Sequence, residues 1–239
     1  MNVNPSAALS PGLSPEELAD LNRSFETAPV EGLLHWALAR FHPEMFLACS
    51  FGAEDVALVD MLCRLHERPR VFYLDTGFLF PETYEVRDRI LERYSLELIR
   101  LTSRLTPDEQ EREHGPALWR SDPDRCCRLR KVEPLTEILR GRKAWITGIR
   151  RDQALTRAHA QLIEWDAKFA LGKVNPLAFW TAEDVWKYIR THHVPYNALH
   201  DRNYPSIGCT HCTRPVLPGE DPRAGRWSGL EKIECGLHK

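Results

Sequence analysis

Apolar and polar positions along this chain follow two alternating periods. "MFLACS", "RVFYLD", "LELIRLT" and "KAWITGI" are short apolar-rich runs of strand length. Between and after them, "AEDVALVDMLCRLH", "PETYEVRDRILERY" and "CRLRKVEPLTEILR" space their apolar residues three and four apart, as a helix with one buried face requires. Strands alternating with helices of this length predict an α/β fold, with a parallel sheet covered by helices on both faces. "SPEELADLNRSFE" starts a helix, with Ser14 as cap and Pro15 at the first helical position. "TAEDVWKYIRTH" starts another, Thr181 capping and Asp184 three residues on, and closes the sheet domain. From Pro195 onward the periodicity ends. The expected organisation is a disordered N-terminus over 1–14, an α/β domain over 15–195, and a flexible C-terminal segment over 196–239 that cannot build a core alone. No internal repeat is present.

Composition narrows the class. The chain has 239 residues, 43% hydrophobic and 28% charged, with a formal net charge of −2. That balance lacks the basic excess of a nucleic-acid binder. No apolar run reaches membrane length and the N-terminus lacks the pattern of a signal peptide, so a cytoplasmic protein with no membrane partner is expected. Seven cysteines, an odd number unevenly spread, argue for thiol chemistry or metal rather than a disulfide framework. Cys49 and Cys63 fall in apolar segments, where a cysteine behaves as a small hydrophobe.

Open parallel sheets bind ligands beyond the carboxyl ends of their strands. Three such loops stand out. "CSFGAEDV" brings Ser50 and Gly52 ahead of a helix N-terminus, where free backbone N–H groups meet an anion, although one glycine there is also plain turn chemistry. "YLDTGFLFPET" brings Asp75, Thr76 and Gly77 to a strand end. "GIRRDQALTR" collects Arg150, Arg151 and Arg157, which suit a phosphate or sulfate or, equally, a solvated charge run.

The remaining cysteines form two groups. Cys209 and Cys212 make a C-x-x-C, readable as a redox dithiol, half a zinc site or half an iron–sulfur site. Cys126 and Cys127 are adjacent, an awkward arrangement around one tetrahedral ion but an acceptable one around several irons, so spacing favours a four-thiolate [4Fe–4S] site over zinc without excluding zinc. Cys235 stands near His238, Arg223 and Arg226, surroundings that favour a thiolate nucleophile.

Together these segments resemble the sulfonucleotide reductase family, in its assimilatory adenylyl-sulfate (APS) reductase branch. The resemblance runs over residues 44 to 238 through "SFGAEDV", "YLDTGFLFPET", "CCRLRKVEPL", "GIRRDQ" with "TR", "NPLAFWT", "VPYNALHDRNYPSIGCTHCT", "GRW" and "ECGLH". Phe51 departs from members that carry a further serine there. The resemblance implies a nucleotide-binding domain of the adenine nucleotide α-hydrolase type. In it Ser50, Gly52, Leu74, Thr76 and Gly148 would line the adenosine, and Lys131, Arg150, Arg151, Arg157, Arg223 and Arg226 would surround the phosphosulfate. It further implies a [4Fe–4S] cluster on Cys126, Cys127, Cys209 and Cys212, with Lys131 on the helical face of Cys127. Cys235 would be the nucleophile that becomes an S-sulfocysteine, His238 would orient the sulfonate, and Gly225, Gly229 and Gly236 would be the flexible points of the tail. Thioredoxin or a similar thiol carrier would be the partner; a homo-oligomer is compatible with the same reading.

Three alternatives compete. A reductase of phosphoadenylyl sulfate (PAPS), or one of dual specificity, differs in accepting a 3′-phosphate. An ATP pyrophosphatase that activates a substrate for thiolation normally shows a serine with two adjacent glycines in the first loop, which "SFGAED" lacks. A zinc-binding module without catalysis would be colourless.

Overall fold

The computed structural model describes residues 13–230, 232 and 234–237. Helices α1 (Pro15–Phe25) and α2 (Val30–Phe41) precede strand β1 (Met45–Ala48). There follow α3 (Ala53–Leu65), β2 (Arg70–Asp75), α4 (Pro81–Arg93), β3 (Glu97–Thr102), α5 (Pro107–His114), α6 (Leu118–Ser121), α7 (Pro123–Cys127), α8 (Glu133–Leu139) and β4 (Ala144–Ile146). Strands β5 (Ile163–Asp166) and β6 (Leu171–Val174) and helix α9 (Ala182–His192) complete the sheet domain. The sheet order is β3-β2-β1-β4-β6-β5. Five strands run parallel as expected; the edge strand β5 is antiparallel to β6.

Alternation along each strand builds a core on both faces, since successive side chains point to opposite sides. Leu47, Val71, Tyr73 and Ile146 join the larger core with α2, α3 and α9. Phe46, Phe72 and Trp145 point the other way, against Leu135 and Leu139 of α8. Serine and threonine caps set the helix starts: Ser14 with Glu17 for α1, Thr106 with Glu109 for α5, and Thr181 with Asp184 for α9 each form a reciprocal capping box. Leu13 is buried and Ser14 caps α1, so the ordered chain begins before residue 15; residues 1–12 of the expected disordered terminus lie outside the described residues.

The segment read as one helix over "CRLRKVEPLTEILR" is interrupted. Arg128–Val132 forms a π turn in which the Glu133 N–H donates to the Arg128 carbonyl, five residues back. Pro134 explains it: proline has no N–H to give the preceding turn and its ring crowds the carbonyl four residues back, so the turn widens. The regular α-helical face expected to align Lys131 with Cys127 is therefore replaced by a wider one.

Candidate active site

The chain order reverses between β1 and β4, and the loops that follow these two strands meet there. They touch closely: a Cβ on Gly148 would stand 2.3 Å from Asp55 Oδ1 and 2.9 Å from Glu54 Cβ, so only glycine fits. Phe51 bends the first loop at φ 60°, a conformation costly for an aromatic residue, held by burying its ring against Tyr73. This bend leaves Ser50 exposed and makes Gly52 the N-cap of α3. Asp55 accepts from both the backbone N–H and the Oγ of Ser50, at 2.6 Å each. Burial pushes its carboxyl up to about 6, against the lowering effect of those bonds.

The second loop leads into the cysteines. Thr76, buried, has its Oγ1 3.3 Å from Cys209 Sγ, and its carbonyl accepts from Arg130 Nη1. Thr210 N–H donates to the Phe78 carbonyl at 2.8 Å, and Trp227 N–H to the Cys212 carbonyl at 3.0 Å. These backbone bonds fasten the C-x-x-C between the β2 loop and the "GRW" segment. Leu74, at the end of β2, is partly buried against the smaller core.

Cys126, Cys127, Cys209 and Cys212 line one cavity together with Lys131, Arg130, Trp119, His211 and Trp227. His211 lies flat on Trp119, with ring centroids 4.5 Å apart and planes 8° apart. Burial pushes the thiols of Cys126 and Cys212 up to about 11 and raises that of Cys127. Thiolates there need compensating positive charge. The protein supplies some: Arg130 is buried, with its Nε and Nη2 lacking any hydrogen-bond partner. Burial works to lower the Lys131 pKa, but the electrostatic pull of Cys209, Cys235 and Cys127 facing it outweighs this and raises it. Among the described residues no three His, Cys, Asp or Glu side chains converge tightly enough for a single ion. All seven cysteines are unpaired.

The expected cations separate. Arg157 and Arg223 converge on Glu234, which is 5% exposed. Arg157 donates to both carboxylate oxygens, from Nε at 2.9 Å and Nη2 at 3.0 Å, while Arg223 Nη2 lies 3.2 Å away. Thr156 Oγ1 adds a further donor at 3.2 Å. Arg226 lies under Gly208, where a Cβ would strike its guanidinium at 2.4 Å, and donates to Ser206 Oγ and the Ile207 carbonyl. Arg150 is a strut, paired with Glu54 at 2.9 Å and with Asp152. Arg151 leaves the group: it donates to the Ala160 carbonyl, stacks on Phe179 and faces a separate cavity lined by α1.

Among the described residues, the C-terminal segment is docked on the sheet domain. Lys232 pairs with Asp124 of α7, and Lys168 Nζ donates to the Gly236 carbonyl. Cys235 is half-buried between these contacts. Gly225 is a packing position rather than a flexible point, since a Cβ there would meet the Arg214 carbonyl oxygen at 2.2 Å. Gly229 and Gly236 occupy left-handed turns at φ 81° and 82°. His238 lies outside the described residues. Sequence reasoning missed Glu234; its signal was an acid directly beside Cys235 in a chain whose arginines were assigned to the substrate alone.

Residues 44–215 match the family described as Phosphoadenosine phosphosulfate reductase domain. The chain belongs to this family. The relative named adenosine 5'-phosphosulfate reductase in Halalkalibacterium halodurans is 45% identical over 221 residues, spanning 92% of this chain and 96% of its own. In Geobacillus kaustophilus a relative of the same name is 47% identical over 214 residues, with 89% and 91% covered. The one named adenosine 5'-phosphosulfate reductase 2 in Bacillus subtilis is 48% identical over 208 residues, with 87% and 88% covered. Among solved structures, a phosphoadenylyl-sulfate (PAPS) reductase from Candida auris, in a phosphate complex, superposes with a TM-score of 0.74 at 30% identity, covering 86% of this chain and all of that one. An FMN adenylyltransferase from Candida glabrata with ATP, at TM-score 0.55 and 18% identity over 90% and 75% of the two chains, shares the fold alone. The reductase family thus accounts for the expected sheet and the order of its motifs. Among the described residues, no helix is long and apolar enough to cross a membrane.

Proposed function

We propose that this protein reduces adenylyl sulfate to sulfite and AMP through an S-sulfocysteine on Cys235, in assimilatory sulfate reduction. The observation that carries this reading is the docked tail, which holds a thiol beside Lys131 and next to the arginine pair. Ser50, Gly52, Leu74, Thr76 and Gly148 would contact adenosine at the meeting of the two loops. Lys131, Arg157, Arg223 and Arg226 would oppose the charge of the phosphosulfate, with Arg150 bracing the loop. Such fixed cations act where charge develops and need no reorganisation during the reaction. His238 would orient the sulfonate.

In the first step the Cys235 thiolate attacks the sulfonate sulfur. A sulfur–sulfur bond forms, the sulfur–oxygen bond to phosphate breaks, and AMP leaves with that electron pair. In the second, a thiolate of reduced thioredoxin or a similar dithiol carrier attacks Cys235 Sγ, and sulfite departs with the sulfur–sulfur pair. The carrier's second thiol resolves the mixed disulfide. Its dithiol thus supplies both electrons.

The donor set of the cysteine cavity fits a [4Fe–4S] cluster. It offers four thiols around one cavity, together with buried guanidinium atoms lacking partners, which suit an anionic group. Cys126, Cys127, Cys209 and Cys212 would hold it. When bound, it would supply structural and electrostatic support beside Lys131. The cytoplasm is the compartment consistent with free thiols.

The test is sulfite release from APS and from PAPS with reduced thioredoxin. The relatives named for APS share 45% to 48% identity, against 30% for the structure named for PAPS, which favours APS. A higher kcat/KM with PAPS would overturn that preference, and no sulfite from either nucleotide would overturn the function.

A further inference from the structure

The arginine pair proposed above to receive the phosphosulfate already holds an anion, and that anion belongs to the chain. Glu234 directly precedes the nucleophile. Its two oxygens take Arg157 Nε and Nη2 in a bidentate fork, with Arg223 Nη2 on the second oxygen. Arg157 Nη1 donates to Gln153 Oε1 at 2.6 Å, so each of its three nitrogens has a partner and the Nε–Nη2 fork is taken by Glu234. A substrate anion that takes this fork must displace Glu234. Burial works to raise the Glu234 pKa, yet the bonds and charge of Arg157 and the charge of Arg223 hold its carboxyl below the usual range, so it is ionised at neutral pH. The two guanidinium groups oppose one another: burial and the charge of Arg157 both lower the Arg223 pKa, and Glu234 counters them.

We infer that Glu234 is an intrachain stand-in for the substrate's anion. It neutralises the Arg157–Arg223 pair in the free enzyme and gives them up when a nucleoside phosphosulfate arrives. The inference rests on the functional reading above and adds a positioning residue to it. Because the stand-in sits one residue from Cys235, anion exchange at the arginines is coupled to the seating of the nucleophile. Lys232 with Asp124 and Lys168 with the Gly236 carbonyl keep the flanking tail attached on either side of the exchanged contact.

A competing carboxylate weakens substrate binding in the ground state, so removing its charge should tighten it. The measurement is calorimetric binding of APS to full-length Cys235→Ser protein, which cannot turn over, with and without Glu234→Gln. The expected change is a roughly tenfold lower Kd in the Gln variant, the equivalent of one charged contact released to the ligand. Adenosine, which carries no anion, should bind both proteins equally, a result that a general disturbance of the fold would not give. Glu234→Asp keeps the charge and should remain within about twofold of the parent. Glu234→Ala serves in place of the Gln variant should that protein fail to fold. APS bound no tighter, or more weakly, by the variant while the parent binds it would overturn the inference alone. APS bound by neither protein would overturn the functional reading and this inference with it.

Discussion

Thr76 Oγ1 stands 3.3 Å from Cys209 Sγ, joining the loop after β2 to the cysteine cavity through one side chain. The same hydroxyl accepts from the Phe78 N–H at 3.2 Å, so it is oriented by its own loop. Thr76→Val keeps the shape and removes the hydroxyl. A hydrogen bond of this kind contributes about 0.5–1.5 kcal/mol, so iron in reconstituted Thr76→Val should be lost to a chelator roughly two- to tenfold faster than in the wild type. Equal rates would separate Thr76 from the support of the cavity.

Replacing Cys126, Cys127, Cys209 or Cys212 by serine should lower iron and acid-labile sulfide together with activity, because the four thiols line one cavity. Anaerobic metal and sulfide analysis of each variant checks this. Full activity in an iron-free Cys209→Ser protein would end the cluster reading. Zinc at one equivalent without sulfide would replace it with a different metal centre.

Asp55 gives the site a pH signature. Its folded pKa of about 6 exceeds the ordinary 3.8, so the folded protein holds this proton more tightly than the unfolded chain. Stability from this group is complete below 3.8 and is lost as pH rises through about 6. At 1.36 kcal/mol per tenfold change in proton affinity, the loss is about 3 kcal/mol. Denaturant unfolding of wild type and Asp55→Asn across that range should show the fall in the first and its absence in the second. Parallel pH profiles would assign the titration elsewhere.

The sheet was legible because β1, β2 and β4 are apolar on both faces and the helices between them keep a clear period. Strands β5 and β6 were not, because Lys173 and Glu164 mark them as polar and neutralise one another only across the pair, at 2.8 Å. Of the expected site residues, the structure gathers the two cysteine pairs around one cavity and brings Arg157 and Arg223 together on Glu234. Which arginines are engaged was hidden. Arg150 and Arg151 are neighbours in sequence, yet one is locked onto Glu54 and the other turns towards α1. Only the three-dimensional path of the loop separates them. Glu234 escaped notice for the same reason, since its partners lie 77 residues back and 11 residues back along the chain.

Cys235 separates chemistry from support. It belongs to none of the four cavity-lining positions, and its tail is held by Lys168 and by the Glu234 ion pairs. Cys235→Ser should therefore retain iron and bind APS but release no sulfite, because a serine hydroxyl stays protonated and is a poor nucleophile without a base. In wild-type protein mixed with APS and no reductant, the first step proceeds and the second has no thiol to complete it. The chain should then gain one sulfonate, read by intact mass and located on Cys235 by peptide mapping. Reduced thioredoxin added afterwards should remove it and release an equal amount of sulfite. An adduct on Cys209 or Cys212, or sulfite released by Cys235→Ser at the wild-type rate, would transfer the nucleophile to the cavity and dismantle this mechanism.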